Sequence, residues 1–327
     1  MLTIQPNSTK SERYTGTFNA LAININMAAS AVNTALVNSD LQLKNITVKV
    51  ELIRNGQTHQ LMSASLDILG AASGYSDSTF YSNAIGSTNR YNILLAAAAS
   101  VKEVATVPLL IPFSLQKDAK GNPINGHVNC QDSVNDYLLL TIIGTPGMFS
   151  TNIDSATSNM TVTLINSIGL EYATPKIEQT VINANVDSQT FDLGEMVQVV
   201  RFVNTDKTLI TNAHAVLSMV NVSSDKITVN GTTYEQLLNN RANAFVNKTE
   251  ANARCQTFEI VNELTPLQKC RLDLSFNDTN VNSSSNYVVV GRYVKNPIKA
   301  IQSSEKAILH TLENRQVLGL PNKAVAL

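Results

Sequence analysis

Apolar and polar residues alternate along much of this chain with the two-residue period of a half-buried β-strand. The clearest case is 46–53, ITVKVELI. Ile46, Val48, Val50 and Leu52 share one face, and Thr47, Lys49 and Glu51 take the other. Asn55-Gly56 follows and marks a turn. Residues 17–26, TFNALAININ, alternate in the same way. Residues 137–143, YLLLTII, are apolar without a break and predict a fully buried strand. Further strands are predicted at 161–172, 176–186, 196–203 (MVQVVRFV), 271–276 (RLDLSF) and 287–294 (YVVVGRYV). Residues 57–87 hold glycine and serine clusters and read as loops with short strands.

Three stretches carry the helical period instead. Thr88 can cap a helix running to about Val104, with Tyr91, Leu94, Leu95, Ala98 and Val101 on one face. Thr232-x-x-Glu235 forms a capping box for a second helix bearing Tyr234, Leu238, Arg241 and Phe245. Asn296-Pro297 opens a C-terminal helix with Ile301, Ile308 and Leu312 in a stripe. Residues 106–117, TVPLLIPFSLQK, cannot be helical, because Pro108 and Pro112 interrupt them. In a strand those prolines favour an edge or a bulge.

That stretch returns as 257–269, TFEIVNELTPLQK, with Thr106 matching Thr257 and Leu115 matching Leu267. Other segments pair in the same order. Residues 48–55 pair with 197–204, Tyr91-x-x-Leu94-Leu95 with Tyr234-x-x-Leu237-Leu238, and 137–140 with 287–290. All these pairs lie about 150 residues apart, a period too long for a solenoid and suited to two similar β domains. The expected fold is mainly β: two tandem eight-stranded jelly-roll sandwiches, with one short helix per half and a C-terminal helix. The expected divisions are an N-terminal arm (1–15), a first jelly roll (16–160), a second (161–295), and a C-terminal helix and tail (296–327). The Ser/Thr/Asn-rich stretch 145–159 is the expected join.

Composition narrows the functions open to such a fold. Of 327 residues only 15% are charged, against about 25% in an average soluble domain. Asn, Ser and Thr supply the polarity, which suits surfaces that pack on copies of themselves with little charge to desolvate. The net charge of −1 argues against specific nucleic-acid binding. The first residues lack the apolar core of a signal peptide, and 93–99 is too short to span a bilayer, so a soluble chain made in a cytoplasm is expected. Cys130, Cys255 and Cys270 are expected as free buried thiols.

Candidate chemistry is sparse. His59, His127, His214 and His310 stand far apart. His127-x-x-Cys130 could supply two zinc ligands but has no second close pair. Asp278-Thr-Asn280-Val-Asn282 imitates a calcium loop, but Ser283 and Val289 stand where Gly and Glu are needed. Glu51, Asp67, Glu103 and Asp136 are carboxylates that could gather in space. Asn-x-Ser/Thr sites occur at Asn45, Asn159, Asn221, Asn230, Asn247, Asn277 and Asn282. No phosphate-binding or nucleophile motif is present. Catalytic, cofactor-binding and metal residues are therefore assigned to none, and no cofactor is expected.

Two β domains in tandem, each with a helix before a late strand, resemble the double jelly-roll major capsid proteins of icosahedral viruses with an internal membrane. Size and composition are similar to the coat proteins of lipid-containing bacteriophages, that of Flavobacterium among them. The resemblance implies a structural, non-enzymatic protein of the virion, made in the host cytoplasm. It implies homotrimeric, pseudo-hexameric capsomers that contact neighbouring capsomers, minor or vertex proteins and an internal lipid membrane. Residues 1–15 and 296–327 would tie neighbours together. Two other classes stay open: a two-domain jelly-roll amidase acting on glycans, with carboxylates in a groove between domains, and a carbohydrate-binding or adhesin-like β protein.

Overall fold

In the computed structural model, the residues described are 1–37, 40–73, 97, 99–116, 124, 126–169, 171, 173–204, 217–233, 236, 256–276 and 286–294. The alternating stretch around Val48 is a strand, Ile46–Arg54, whose even-numbered residues are buried throughout. Asn55 and Gly56 both take positive φ, 50° and 75°, the geometry of a two-residue hairpin turn. The turn returns the chain as the strand Gln57–Ser65, which pairs with the first from Arg54↔Gln57 onward.

The first half holds β1 (Leu2–Ile4), β2 (Ser8–Tyr14), β3 (Gly16–Ala28), β4 (Ile46–Arg54), β5 (Gln57–Ser65), helix α1 (Leu66–Ser73), β6 (Val104–Pro112), β7 (Val128–Cys130), β8 (Asp136–Gly144) and β9 (Asn159–Asn166). The second holds β10 (Pro175–Val181), β11 (Ser188–Gly194), β12 (Val197–Asn204), β13 (Leu217–Ser223), β14 (Thr228–Thr233), β15 (Gln256–Leu267), β16 (Cys270–Phe276) and β17 (Asn286–Tyr293).

Four sheets result: β1-β9-β3-β6 with β7 added on β3, β2-β8-β4-β5, β10-β17-β12-β15 and β11-β16-β13-β14. Set the three-residue β7 aside and number each half's strands one to eight. Both halves then have the sheet orders 1-8-3-6 and 2-7-4-5. Two antiparallel sheets that exchange strands in this order make a jelly roll. The chain is a double jelly roll.

This topology confirms the duplication and corrects parts of its alignment. The strands that open the two stretches do correspond, since β6 and β15 are both sixth strands and both lie at a sheet edge. The edge position tolerates Pro108 and Pro266, which cannot donate to a neighbour. The other pairings slip by one strand. β4 is a fourth strand and corresponds to β13, not to β12; β8 is a seventh and corresponds to β16, not to β17. Strand composition alone produced those matches, and connections of unequal length break the constant offset. The paired motifs at Tyr91 and Tyr234 lie outside the described residues.

Residues 1–15 are not an arm. Leu2 and Ile4 point into the core and β1 pairs with β9, while β2 pairs along β8 from Ser8↔Gly144 to Tyr14↔Leu138. The expected boundary at 160/161 falls inside β9, which pairs with β3 and belongs to the first half. The stretch 145–159, the expected join, is instead the connection from β8 to β9 (145–158) and the first residue of β9, so the join lies between β9 and β10.

Residues 57–87, expected as loops with short strands, begin with a nine-residue strand, β5, and the helix α1, which the sequence does not predict. The helix expected at 88–104 is not continuous to its end: 99–103 are irregular, and β6 starts at Val104. The rest of that helix, most of the one after residue 233, and 296–327 lie outside the described residues. The capping box sits one residue later than predicted: Thr233 N donates to Gln236 Oε1 at 2.8 Å, and Gln236 N to Thr233 Oγ1 at 3.4 Å. β8 is half-buried rather than fully buried, since Leu139 and Thr141 are partly open and Ile143 is 37% exposed.

The strands buried on both faces are in the second half. Val288, Val289 and Val290 in β17 are all buried, as are Val199, Val200, Phe202 and Val203 in β12. Val288, Val290, Val200 and Phe202 line the second sandwich's own core. Val199, Val203, Val289 and Ile177 instead join the core cluster of the first half. Double burial explains why VVV and VQVVRFV read as nearly unbroken apolar runs.

Candidate functional site at the seam of the two sandwiches

The outer face of the β10-β17-β12-β15 sheet packs on α1, β5 and the segment after β6. At its centre Arg201 of β12 is fully buried. Its Nη2 donates to Glu259 Oε2 of β15 at 2.8 Å and to the carbonyl of Leu115 at 3.0 Å, and its Nε reaches the same carboxylate oxygen at 3.2 Å. Nη1 donates to the carbonyl of Ala72 in α1. One guanidinium thus spends its rigid fork on a carboxylate of its own sandwich and two carbonyls of the other.

Gln116 extends the seam. Its Nε2 donates to the Glu263 carbonyl at 2.7 Å, and its Oε1 accepts from Gln198 Nε2 at 3.0 Å. Leu115 sits over Gly291, where a Cβ would stand 3.2 Å from Leu115 Cβ and 3.4 Å from Val199 Cβ. Glycine is what lets the two halves approach there. The Leu-Gln-Lys echo is therefore not in structural register: Leu115 lies beyond β6 in the seam, whereas Leu267 ends β15 inside the second core.

A second polar cluster fixes the join. Arg54 pairs with Asp136 (2.8 Å) and with both oxygens of Glu171 (2.9 and 3.1 Å), and donates to the Asn129 carbonyl. Glu171 also accepts from Asn129 N at 2.8 Å and Thr174 Oγ1 at 2.7 Å. Burial alone would lower the pKa of Arg54, but Glu171 and then Asp136 outweigh it and hold the guanidinium charged above its ordinary range. Cys130 lies beside this cluster. Burial pushes its thiol up to about 12, with Asp136 and Glu171 adding to the shift and Arg54 opposing it. Cys270 is likewise a free buried thiol, raised to about 11 chiefly by burial.

A third cluster closes one end of the first sandwich. Buried Asp40 accepts from Val37 N at 2.8 Å, Ser150 Oγ at 2.6 Å and Asn152 Nδ2 at 3.1 Å. It ties the β3–β4 connection to the β8–β9 connection.

The structure scatters the residues singled out in sequence. Asp136 joins Arg54, Glu51 pairs with Lys49 at 2.8 Å, and Asp67 accepts from Ile68 N at 2.9 Å. Glu103 contributes its backbone carbonyl to Ala29 N at 2.7 Å. His127 Nδ1 lies 2.9 Å from Ser167 Oγ, and its ring covers Gly169. Among the described residues no group of three His, Cys, Asp or Glu side chains could hold a metal. Three Asn-x-Ser/Thr asparagines bind neighbours: Asn45 donates to the Gly147 carbonyl at 2.7 Å, Asn159 accepts from Asn26 at 3.1 Å, and Asn221 accepts from Gly231 N at 2.6 Å. His214, His310, Cys255, Asn247 and 277–283 lie outside the described residues. No described helix is long and apolar enough to cross a membrane. Sequence reasoning missed Arg54, Asp40, Glu171, Arg201 and Glu259. For Arg201 a signal existed: it is the lone charge within a valine-rich strand, VQVVRFVN.

No protein-family description matches the chain, and no curated protein matches it in sequence. Solved structures do. The STIV MCP is similar over 88% of this chain and 91% of its own, at 12% identity and a TM-score of 0.49. The major capsid protein P2 from bacteriophage PM2 is similar over 89% and 94%, at 9% identity and a TM-score of 0.48. The mavirus major capsid protein is similar over 89% and 86%, at 12% identity and a TM-score of 0.35.

Proposed function

We propose that this chain is a major capsid protein, a structural component of a virion rather than an enzyme. Three copies would form a pseudo-hexameric capsomer, and capsomers would tile an icosahedral shell around an internal membrane, as in lipid-containing phages such as that of Flavobacterium. Neighbouring capsomers and minor or vertex proteins are its expected partners, and it is made in the host cytoplasm. The observation that carries this reading is the strand order repeated in both halves. Two alike sandwiches locked side by side make one chain two similar tiles. Three chains can then occupy six nearly equivalent positions in a closed ring. The buried Arg201 seam supports it, because a tile must hold its two halves in one orientation.

Fold alone does not fix function, so the test is assembly. Negative-stain micrographs of the expressed chain, alone or with its neighbouring gene products, should show six-lobed capsomers or closed shells. A dispersed monomer under every condition, with glycan-cleaving or glycan-binding activity, would overturn the reading.

A further inference from the structure

Within one chain, the outer face of one 1-8-3-6 sheet is already covered: the second half's sheet lies on α1, β5 and Leu115 of the first. Among the described residues, the equivalent face of the first half, on β1-β9-β3-β6, has no such cover. Its outward positions include Thr3, Ala22, Asn24, Asn26, Thr106, Pro108, Leu110, Thr161 and Thr163. None of these four strands contains a charged residue. Leu110 is 39% exposed and Val104 70%. The polar side chains satisfy one another along the face: Thr106 Oγ1 donates to Asn26 Oδ1 at 3.0 Å, and Asn26 Nδ2 to Asn159 Oδ1 at 3.1 Å. Such a surface can be covered at little desolvation cost.

Among the described residues, the complementary surface also has an open counterpart. In the seam β5, a fifth strand, meets β10, a first strand. The second half's fifth strand is β14, TVNGTT, an uncharged sheet-edge strand that is mostly exposed, Val229 by 38%. We propose that the β1-β9-β3-β6 outer face of one copy seats the β14 edge of a second copy's second sandwich, repeating between chains the contact that joins the halves within one. This rests on the shell-protein reading and assigns the surfaces through which copies join. The contact is heterologous, so it propagates around a ring rather than ending at a dimer.

The two versions of the contact differ in chemistry. With Thr106 set against Thr257, the ladders place Asn24 where the second half has Arg201 and Pro108 where it has Glu259. The intrachain seam thus has a buried ion pair, whereas the face offered to a neighbour is neutral. A neutral face has no charge to desolvate when copies meet.

The test uses the full chain. Asn24→Lys/Thr163→Lys places charge on the face, Val229→Lys places it on the edge, and Thr9→Lys on a different exposed sheet face is the control. All four positions are exposed in the single chain, so circular dichroism and melting temperature should match the parent. By native mass spectrometry the face and edge variants should each be monomeric, with self-association weakened about 100-fold or more, and the control should keep the parent's mass. Mixed together, the face and edge variants should give heterodimers, since one intact face meets one intact edge. Face and edge variants that assemble like the parent would overturn the surface assignment while leaving the shell reading in place. A parent chain that is itself monomeric at every concentration would overturn both.

Discussion

Replacing Arg201 with methionine is the sharpest probe of how the two halves are held. The change removes a fully buried guanidinium and leaves Glu259, only 8% exposed, without its counter-charge. The Ala72 and Leu115 carbonyls also lose a donor across the seam. Breaking one partner out of a buried ion pair costs about 3–5 kcal/mol. The two carbonyls do not add independently, because the same group serves all three. The folded-to-unfolded ratio should therefore fall by a factor of about 10² to 10³ or more. Urea titration followed by circular dichroism measures it. Because the lost contacts cross between sandwiches, the parent's single transition should also split, the second half unfolding first. Arg201→Met/Glu259→Met removes both charges and should recover most of the loss, since apolar replacement of a buried pair is often neutral. A loss under about 1 kcal/mol for the single variant, with one unchanged transition, would refute the argument that this guanidinium locks the seam.

Other outcomes follow from the remaining clusters. Glu171→Ala strands Arg54 beside Asp136 and releases the join, so limited proteolysis should cut within 167–174 well before the sandwiches. Asp40→Ala leaves three donors without their acceptor and should lower stability by about 2–4 kcal/mol in chemical denaturation. The Cys130 thiol ionises near 9 when unfolded and near 12 when folded. Between those values the native state binds more protons, so the thiol's contribution is complete below pH 9 and is lost as pH rises toward 12. Cys130→Ala should flatten that part of the urea midpoint's pH dependence. Maleimide labelling mapped by peptide mass should reach Cys130 and Cys270 only on unfolding, since both are buried.

What the sequence displayed was whatever one face of one strand could show. β4 alternates because only one of its faces is buried, and Asn55-Gly56 shows because both residues must take positive φ. The prolines at 108 and 112 pointed to an edge or a bulge, and β6 is an edge strand, because a proline cannot donate within a ladder. Helix α1 was hidden for the opposite reason. Seven of its eight residues are buried, on all sides, so it carries no stripe. β2 was hidden because its residues are partly or fully exposed. Full burial was expected of 137–143 and is found instead in β12 and β17, whose runs of valine carry the same signal without showing what covers the second face. The seam needed three distant segments, around Ala72, Leu115 and Arg201, and no spacing along the chain brings those together.

The central claim is that this chain is one third of a ring. Native mass measurement of the purified 327-residue chain tests it most directly. The account predicts a species of three 35.4 kDa chains, about 106 kDa, in equilibrium with larger assemblies and never a stable dimer. A homogeneous 35.4 kDa monomer that persists at high concentration would contradict it.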